Sequence, residues 1–429
     1  MMLFDLPRFF VLPCLFVLGC CIGSFLNVCI HRFPSRSRLR DQLKSLNSHG
    51  SGCPKCAVAI RWYDNVPLFG WLLLRGRCRN CHLPISPRYP LVELLTGILF
   101  VLVYQLEMPT DFWGPVDPGG LYTPDGPQNL TGYWPAPVWL HVRYALHIAL
   151  VCCLIVATFI DLELWIIPDG STVPMMGTAL VVAAAFGQAW IVPVWFQDAS
   201  VVSTLRTVAP EWMKPLLFSW DCLPFAITSP RWHGFLVSAV GLLVGGGVVW
   251  MVRLLGAWVL KREAMGFGDV VLMAMVGSVL GWQPVLVVFF LAPLLALSVA
   301  IVSLVLRRRD EIPYGPWLSL ATLLLLLAWT RIWPYAERIF DMGPFVLLMG
   351  VFMFGMLFVS LHLMQILRRL LGLQPVDSAA EPVDDGIPII YPADRSDPMA
   401  GQWDRPLWPG QRAGQGLAGY SRWRHGRGD

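Results

Sequence analysis

The chain has 429 residues, of which 56% are hydrophobic and 14% charged, and its mean hydropathy is +0.58. A soluble domain carries roughly a quarter charged residues, so a water-soluble globule of this size is excluded, and so is disorder over most of the length. The net charge of +4 is too small to inform by itself, and no nucleic-acid partner is expected.

A helix needs about 20 apolar residues to cross the hydrocarbon core. In chain order the stretches Phe9–Ile30, Tyr89–Leu106, Tyr144–Ile160, Ser171–Ile191, Phe235–Val252, Val270–Leu280, Val285–Leu306, Trp317–Thr330 and Phe345–Ile366 qualify as candidates. The Val270 stretch is short and stops at Gly281-Trp282-Gln283-Pro284, which suits a shallow helix packed inside the bundle. The expected fold is therefore an all-α polytopic membrane protein with eight or nine transmembrane helices and a small zinc-binding cytoplasmic loop domain. No small-x-small cleavage pattern precedes the first basic block, so the first span is expected to stay.

Residues 1–30 read as the first span, 31–88 as a cytoplasmic loop, 89–372 as a transmembrane bundle and 373–429 as a disordered cytoplasmic tail rich in Pro, Gly, Asp and Arg. Within the bundle, 107–142 and 192–233 read as external loops rich in Pro and Trp. Orientation follows from the basic residues: 31–88 holds 11 Lys and Arg, whereas 107–142 holds none. Cytoplasmic loops collect such residues, so the N-terminus is expected outside and the C-terminus inside.

Eleven cysteines separate by place. Cys14, Cys20, Cys21, Cys29, Cys152 and Cys153 fall in spans and behave as small hydrophobes; Cys222 stands alone in an external loop. The remaining four form two C-x-x-C knuckles, Cys53/Cys56 and Cys78/Cys81, with 21 residues between them. Two such turns can bring four thiolates into a tetrahedron around Zn²⁺, a closed structural site without an open position for substrate. Two disulfides or four free thiols are the alternatives, and a reducing cytosol disfavours the first. His82 is adjacent and superfluous as a ligand.

Carboxylates within membrane spans are costly, by about 2.5–3.5 kcal/mol for Asp at a helix centre on insertion scales. Asp161 ends the third span in Thr158-Phe159-Ile160-Asp161, and Asp269 starts the sixth in Met265-Gly266-Phe267-Gly268-Asp269. The chain crosses out and back between them, so both fall at one depth near the cytoplasmic face. Two facing aspartates that share one proton can activate water with one carboxylate and polarise a scissile carbonyl with the other acid. Gly266 and Gly268, which flank Phe267, leave room for a substrate backbone. Asp169 reads as a helix N-cap and Glu163 as an interfacial carboxylate. Glu93, several residues into a span, has no simple structural explanation.

These blocks together are similar to one family. Gly23-Ser24-Phe25-Leu26-Asn27-Val28, the two knuckles, and Asn65-Val66-Pro67-Leu68-Phe69-Gly70-Trp71 running on to Cys78 come first. Pro84-Ile85-Ser86-Pro87-Arg88-Tyr89-Pro90-Leu91-Val92-Glu93-Leu94, the Asp161–Asp169 stretch, Gly266-Phe267-Gly268-Asp269 and Ile312-Pro313-Tyr314-Gly315-Pro316 follow in order. The chain resembles the bacterial type IV prepilin peptidases, membrane aspartyl proteases of the G-x-G-D type that are also N-methyltransferases of the inner membrane. The resemblance implies that Asp161 and Asp269 are the catalytic pair. The implied substrates are the leaders of prepilins or type II secretion pseudopilins, cut on the cytoplasmic side after a Gly. It further implies methylation of the new N-terminus by S-adenosylmethionine, with the cysteine loop belonging to that portion. Val271 stands where the family usually has Lys. The long external loops and the tail exceed the compact form and suggest a secretion or pilus-assembly component as a further partner. A proton-coupled transporter, or a non-catalytic membrane component of secretion machinery, is the competing reading; the former needs polar residues at mid-depth, and the spans are almost wholly apolar.

Overall fold

A computed structural model describes residues 8–36, 38–47, 50–53, 55–108, 136–220, 222–260, 265–305 and 313–371. Most of the expected external loop 107–142 and all of the tail 373–429 lie outside the described residues. The helices, in order, are α1 (Arg8–Arg32), α2 (Leu39–Ser45), α3 (Phe69–Leu73), α4 (Arg88–Glu107), α5 (Ala136–Leu164), α6 (Asp169–Phe186) and α7 (Ala199–Val208). Then come α8 (Leu223–Thr228), α9 (Pro230–Leu260), α10 (Phe267–Leu280), α11 (Trp282–Val305), α12 (Gly315–Leu327), α13 (Trp329–Phe340) and α14 (Phe345–Leu370). Among the described residues β structure is limited to two isolated bridges in the cysteine loop.

Among the described residues seven helices, α1, α4, α5, α6, α9, α11 and α14, are long and apolar enough to cross a membrane, and α12 with α13 makes an eighth if a pair bent by 99° counts as one span. This is a multi-pass membrane protein. The expected span Trp317–Thr330 breaks at Ala328, whose φ of −113° and ψ of 27° leave the helical region.

α10 is the short helix expected inside the bundle. Its 14 residues rise about 21 Å, less than the roughly 30 Å of a hydrocarbon core, and all but three of them are buried. The missing length is made up by the chain after α6. Ile191 and Val192 are fully buried, and their neighbours' carbonyls are taken up by side chains just past α10. Trp282 Nε1 donates to Val194 O at 2.6 Å and Gln283 Nε2 to Pro193 O at 2.9 Å. Irregular backbone is tolerated at such depth when protein satisfies its polar groups.

Small residues set the tightest crossings, as expected where lipid supplies no hydrophobic drive between helices. On α9, a Cβ at Gly241 would run into the carbonyl oxygen of Gly277 on α10, and the reverse holds for Gly277. On α1, a Cβ at Gly23 would lie 2.7 Å from the Cα of Glu93 on α4. The first of these contacts seats α10, which carries Asp269, against α9.

Candidate active site and metal centre

Asp161 occupies the last turn of α5, and Asp269 the first turn of α10. Both are buried, at 5% and 8% exposure. The turn after α5 fixes the first: Trp165, at a left-handed φ of 59°, donates its amide to Asp161 O at 2.9 Å. The Asp161 carboxylate accepts a backbone hydrogen bond from Gly315 at the start of α12, and Asp269 accepts one from Gly266. The two carboxyls lie within electrostatic range of each other.

Ile167 brings these parts together. A Cβ on Gly315 would be 3.2 Å from Ile167 Cδ1, and one on Gly268 3.1 Å from Ile167 Cβ. The same side chain therefore fills the space beside both glycines, one next to Asp161 and the other just before Asp269. Gly268 gives its space to Ile167, whereas at Gly266 a Cβ would find only ordinary contact, 3.6 Å from Asp269 Oδ2.

Sequence reasoning missed three contributors here. Gly315 and Tyr314 were legible as a motif without a role; Gly315 holds Asp161, and Tyr314 lies within electrostatic reach of Asp269. Arg253 on α9 gave no signal at all. Its Nε donates to Met265 O at 3.2 Å and its guanidinium lies 5.7 Å from the centre of the Phe267 ring, so it grips the turn that leads into Asp269. Val271, in the place of the usual Lys, is partly buried on α10.

The remaining carboxylates have other partners. Asp169 is not the N-cap of α6: Pro168 holds the extended cap conformation, with φ −77° and ψ 134°, and Asp169 opens the first turn. Its negative charge there still suits the helix dipole. The amide of the next residue, Gly170, donates to Oε1 of the fully buried Gln42 at 2.6 Å, so α2 supplies the acceptor that the helix start needs. Glu163 pairs with Arg88 at the head of α4. Glu93 accepts the Leu68 amide at 2.8 Å, which ties the cysteine loop to α4.

The two knuckles are close copies. Cys53 N donates to Val58 O and Cys78 N to Leu83 O, both at 2.9 Å, while Ala57 N and His82 N return to Cys53 O and Cys78 O. Ala57 and His82, each just after the second cysteine, share the left-handed conformation at φ 56° and 55°. The four sulfurs lie within 4.8 Å of one another, with Cys53–Cys81 at 3.9 Å and Cys56–Cys78 at 4.0 Å. A tetrahedron with Zn–S bonds of about 2.3 Å has edges of about 3.8 Å, so the donor set and its spacing fit such an ion. Disulfides are not formed. Amide donors, from Val58 above all, bring the Cys56 thiol down to about 7, while burial pushes Cys53 up to about 12. Asn80 Nδ2 adds a 3.7 Å contact to Cys56 Sγ. His82 is outside the cluster.

Residues 17–106 match the Bacterial Peptidase A24 N-terminal domain, and residues 148–301 match the Type IV leader peptidase family. The chain is 34% identical over 295 residues to a prepilin leader peptidase/N-methyltransferase of Myxococcus xanthus (strain DK1622), covering 69% of this chain and 64% of that protein. It is 32% identical over 271 residues to the Klebsiella pneumoniae protein of the same name, covering 63% and 85%. With that of Neisseria gonorrhoeae it shares 30% over 345 residues, covering 76% and 93%. No solved structure matches significantly. Both halves of the chain, the loop-bearing one and the one with the buried aspartates, are thus accounted for by the same relatives, and the protein belongs to the type IV leader peptidase family.

Proposed function

We propose that the protein is a membrane aspartyl endopeptidase that removes the leader from type IV prepilins or type II secretion pseudopilins after a Gly. It works in the bacterial inner membrane with its active site facing the cytoplasm. The observation that supports this reading is that Asp161 and Asp269, 108 positions apart, are both buried and lie within electrostatic range of each other. In the proposed reaction one carboxylate takes a proton from water as the water attacks the scissile carbonyl, and the other, protonated, donates to that carbonyl oxygen. The amides of Gly315 and Gly266 hold the two carboxyls in orientation. Gly266, exposed beside Asp269, is where an extended substrate backbone has room to approach.

The four cysteines Cys53, Cys56, Cys78 and Cys81 would hold a structural Zn²⁺ that keeps the loop folded. S-adenosylmethionine would supply the methyl group for the new N-terminal amine, and the relatives' shared name supports that second activity. The division expected from the sequence, with loop 31–88 serving methylation and the bundle serving cleavage, is part of this proposal, and so is a further secretion or pilus-assembly partner.

A proton-conducting reading finds little support. The buried hydroxyls of Thr96 and Thr322 donate to carbonyls of their own helices, Val92 O at 2.7 Å and Leu318 O at 2.8 Å. Co-expression with a candidate prepilin, followed by intact-mass measurement, tests the proposal, since leader loss and methylation change the mass separately. Asp161→Asn and Asp269→Asn should each stay in the membrane and reduce cleavage by about 10²–10⁴-fold, at the level of a lost acid–base group. Retained processing in either variant refutes the pair.

A further inference from the structure

Phe69, Leu72 and Leu73 present 64%, 60% and 76% of their surface on the outside of the protein. They form most of α3, inside a stretch whose sequence reads as a loop in water. A contiguous exposed apolar surface of this kind marks an interaction site, and its position in the fold says what it meets.

The position is fixed by one hydrogen bond. α4 runs 20 residues from Arg88 to Glu107, about 30 Å, the thickness of the hydrocarbon core. Glu93, five residues from the Arg88 end, accepts the amide of Leu68, the residue before α3. At about 1.5 Å per residue, that carboxylate originates roughly 7 Å inside the end of the span. The contact also accompanies a γ-turn at Leu68, with φ 61° and ψ −53° and Phe69 N bonded to Pro67 O, a rare and strained conformation, so the placement of α3 against α4 is specified rather than incidental.

The backbone of the segment is finished as lipid requires. The amides of Phe69, Gly70, Leu72, Leu74 and Gly76 all donate to carbonyls of the segment itself, and the Trp71 indole donates to Ile85 O at 3.2 Å. Such pairing is what a hydrocarbon surrounding requires of the amides it meets. Beyond the apolar turn stand Arg61, Arg75 and Arg77, all exposed, with stems long enough to return their charges to a phosphate layer.

We infer that Val66–Leu74 is an interfacial anchor: the Phe69, Leu72 and Leu73 face is buried in the bilayer leaflet on the Asp161 side, and the flanking arginines contact anionic lipid headgroups. The anchor fixes the height of the cysteine loop over the bundle. This inference is independent of the reaction proposed above.

The full chain in nanodiscs containing phosphatidylglycerol tests it, with an environment-sensitive fluorescent amino acid placed at position 73. Position 58, exposed on the first knuckle, is the control. Lipids carrying a quencher near the glycerol end of the acyl chain should quench position 73 at least twofold more than position 58. A second label at position 69 should behave like 73, and an unchanged thermal melt certifies the fold of each. Equal quenching at 73 and 58 overturns the anchor. So does shielding of 73 by an added leader peptide without lipid quenching, which would make the face a peptide-docking surface. Arg75→Glu with Arg77→Glu should lower the quenching at 73 about twofold; unchanged quenching overturns the headgroup contact.

Discussion

The amide of Gly315 donates to the carboxylate of Asp161, and a Cβ at residue 315 would overlap Asp161 Oδ2. A residue at the head of α12 thus holds an acid at the foot of α5, and only hydrogen on its α-carbon permits the approach. Gly315→Ala is expected to displace the carboxyl while leaving the bundle folded. A shift of about 1 Å at a reacting group lowers turnover about a hundredfold. Cleavage of a prepilin by the purified variant, with thermal unfolding in detergent as the control, checks this.

Arg253 holds the turn before Asp269 through Met265 O and the Phe267 ring. Arg253→Leu should lower kcat about tenfold with KM little changed, because it loosens an acid rather than a substrate contact. Arg253→Lys should recover part of the loss, since a cation over the ring is retained. Equal activity in Arg253→Leu and the parent protein would remove Arg253 from the site.

The cysteine cluster predicts about one zinc per chain by elemental analysis of protein purified without chelator. Cys53→Ser and Cys78→Ser should each lose the metal, and the loop should then be cut by protease at concentrations that spare the parent. Protein with four free thiols and no metal would contradict the assignment.

The α9–α10 crossing predicts a contrast between two glycines. A Cβ at Gly277 meets the carbonyl of Gly241, whereas one at Gly247 finds nothing within 4 Å. Gly277→Ala should destabilise by about 1–3 kcal/mol, as overpacking does. Gly247→Ala should be neutral or stabilise by up to about 1 kcal/mol, the gain in helix propensity. Thermal unfolding in one detergent compares the two.

Much of this architecture is legible in the chain because lipid makes its demands locally. Runs of apolar residues mark α1, α4, α5, α6, α9, α11 and α14 wherever their length suffices, and the enclosed α10 is visible as a run that stops short at Gly281. The knuckles are legible from spacing alone, since two C-x-x-C turns leave few alternatives. Counting crossings puts Asp161 and Asp269 at one depth, which allows them to meet. Contacts across the bundle are another matter. Nothing near Arg253 or Gln42 in sequence points to the Met265 carbonyl or the Gly170 amide, because both partners are brought by the fold. The Asp169 cap was misplaced by one residue because Pro168, without an amide proton, can itself occupy the cap position. α3 escaped notice for a different reason: its five residues are too few for any hydropathy window, and its depth is set by a side chain 25 positions away.

Gln42 is buried completely, yet it belongs to a helix of only seven residues. Its amide group bridges two segments of the chain, accepting from Gly170 at 2.6 Å and donating to Arg36 O at 2.9 Å. Grafts between homologues should therefore treat the residues around Gln42 as part of the membrane body rather than as an exchangeable tether. A transplant of residues 50–85 carries the bonding of its knuckles and needs Glu93 to receive Leu68, whereas replacing 36–47 with a generic spacer would strip the start of α6 of its acceptor, at Gly170 in the segment that follows Asp161.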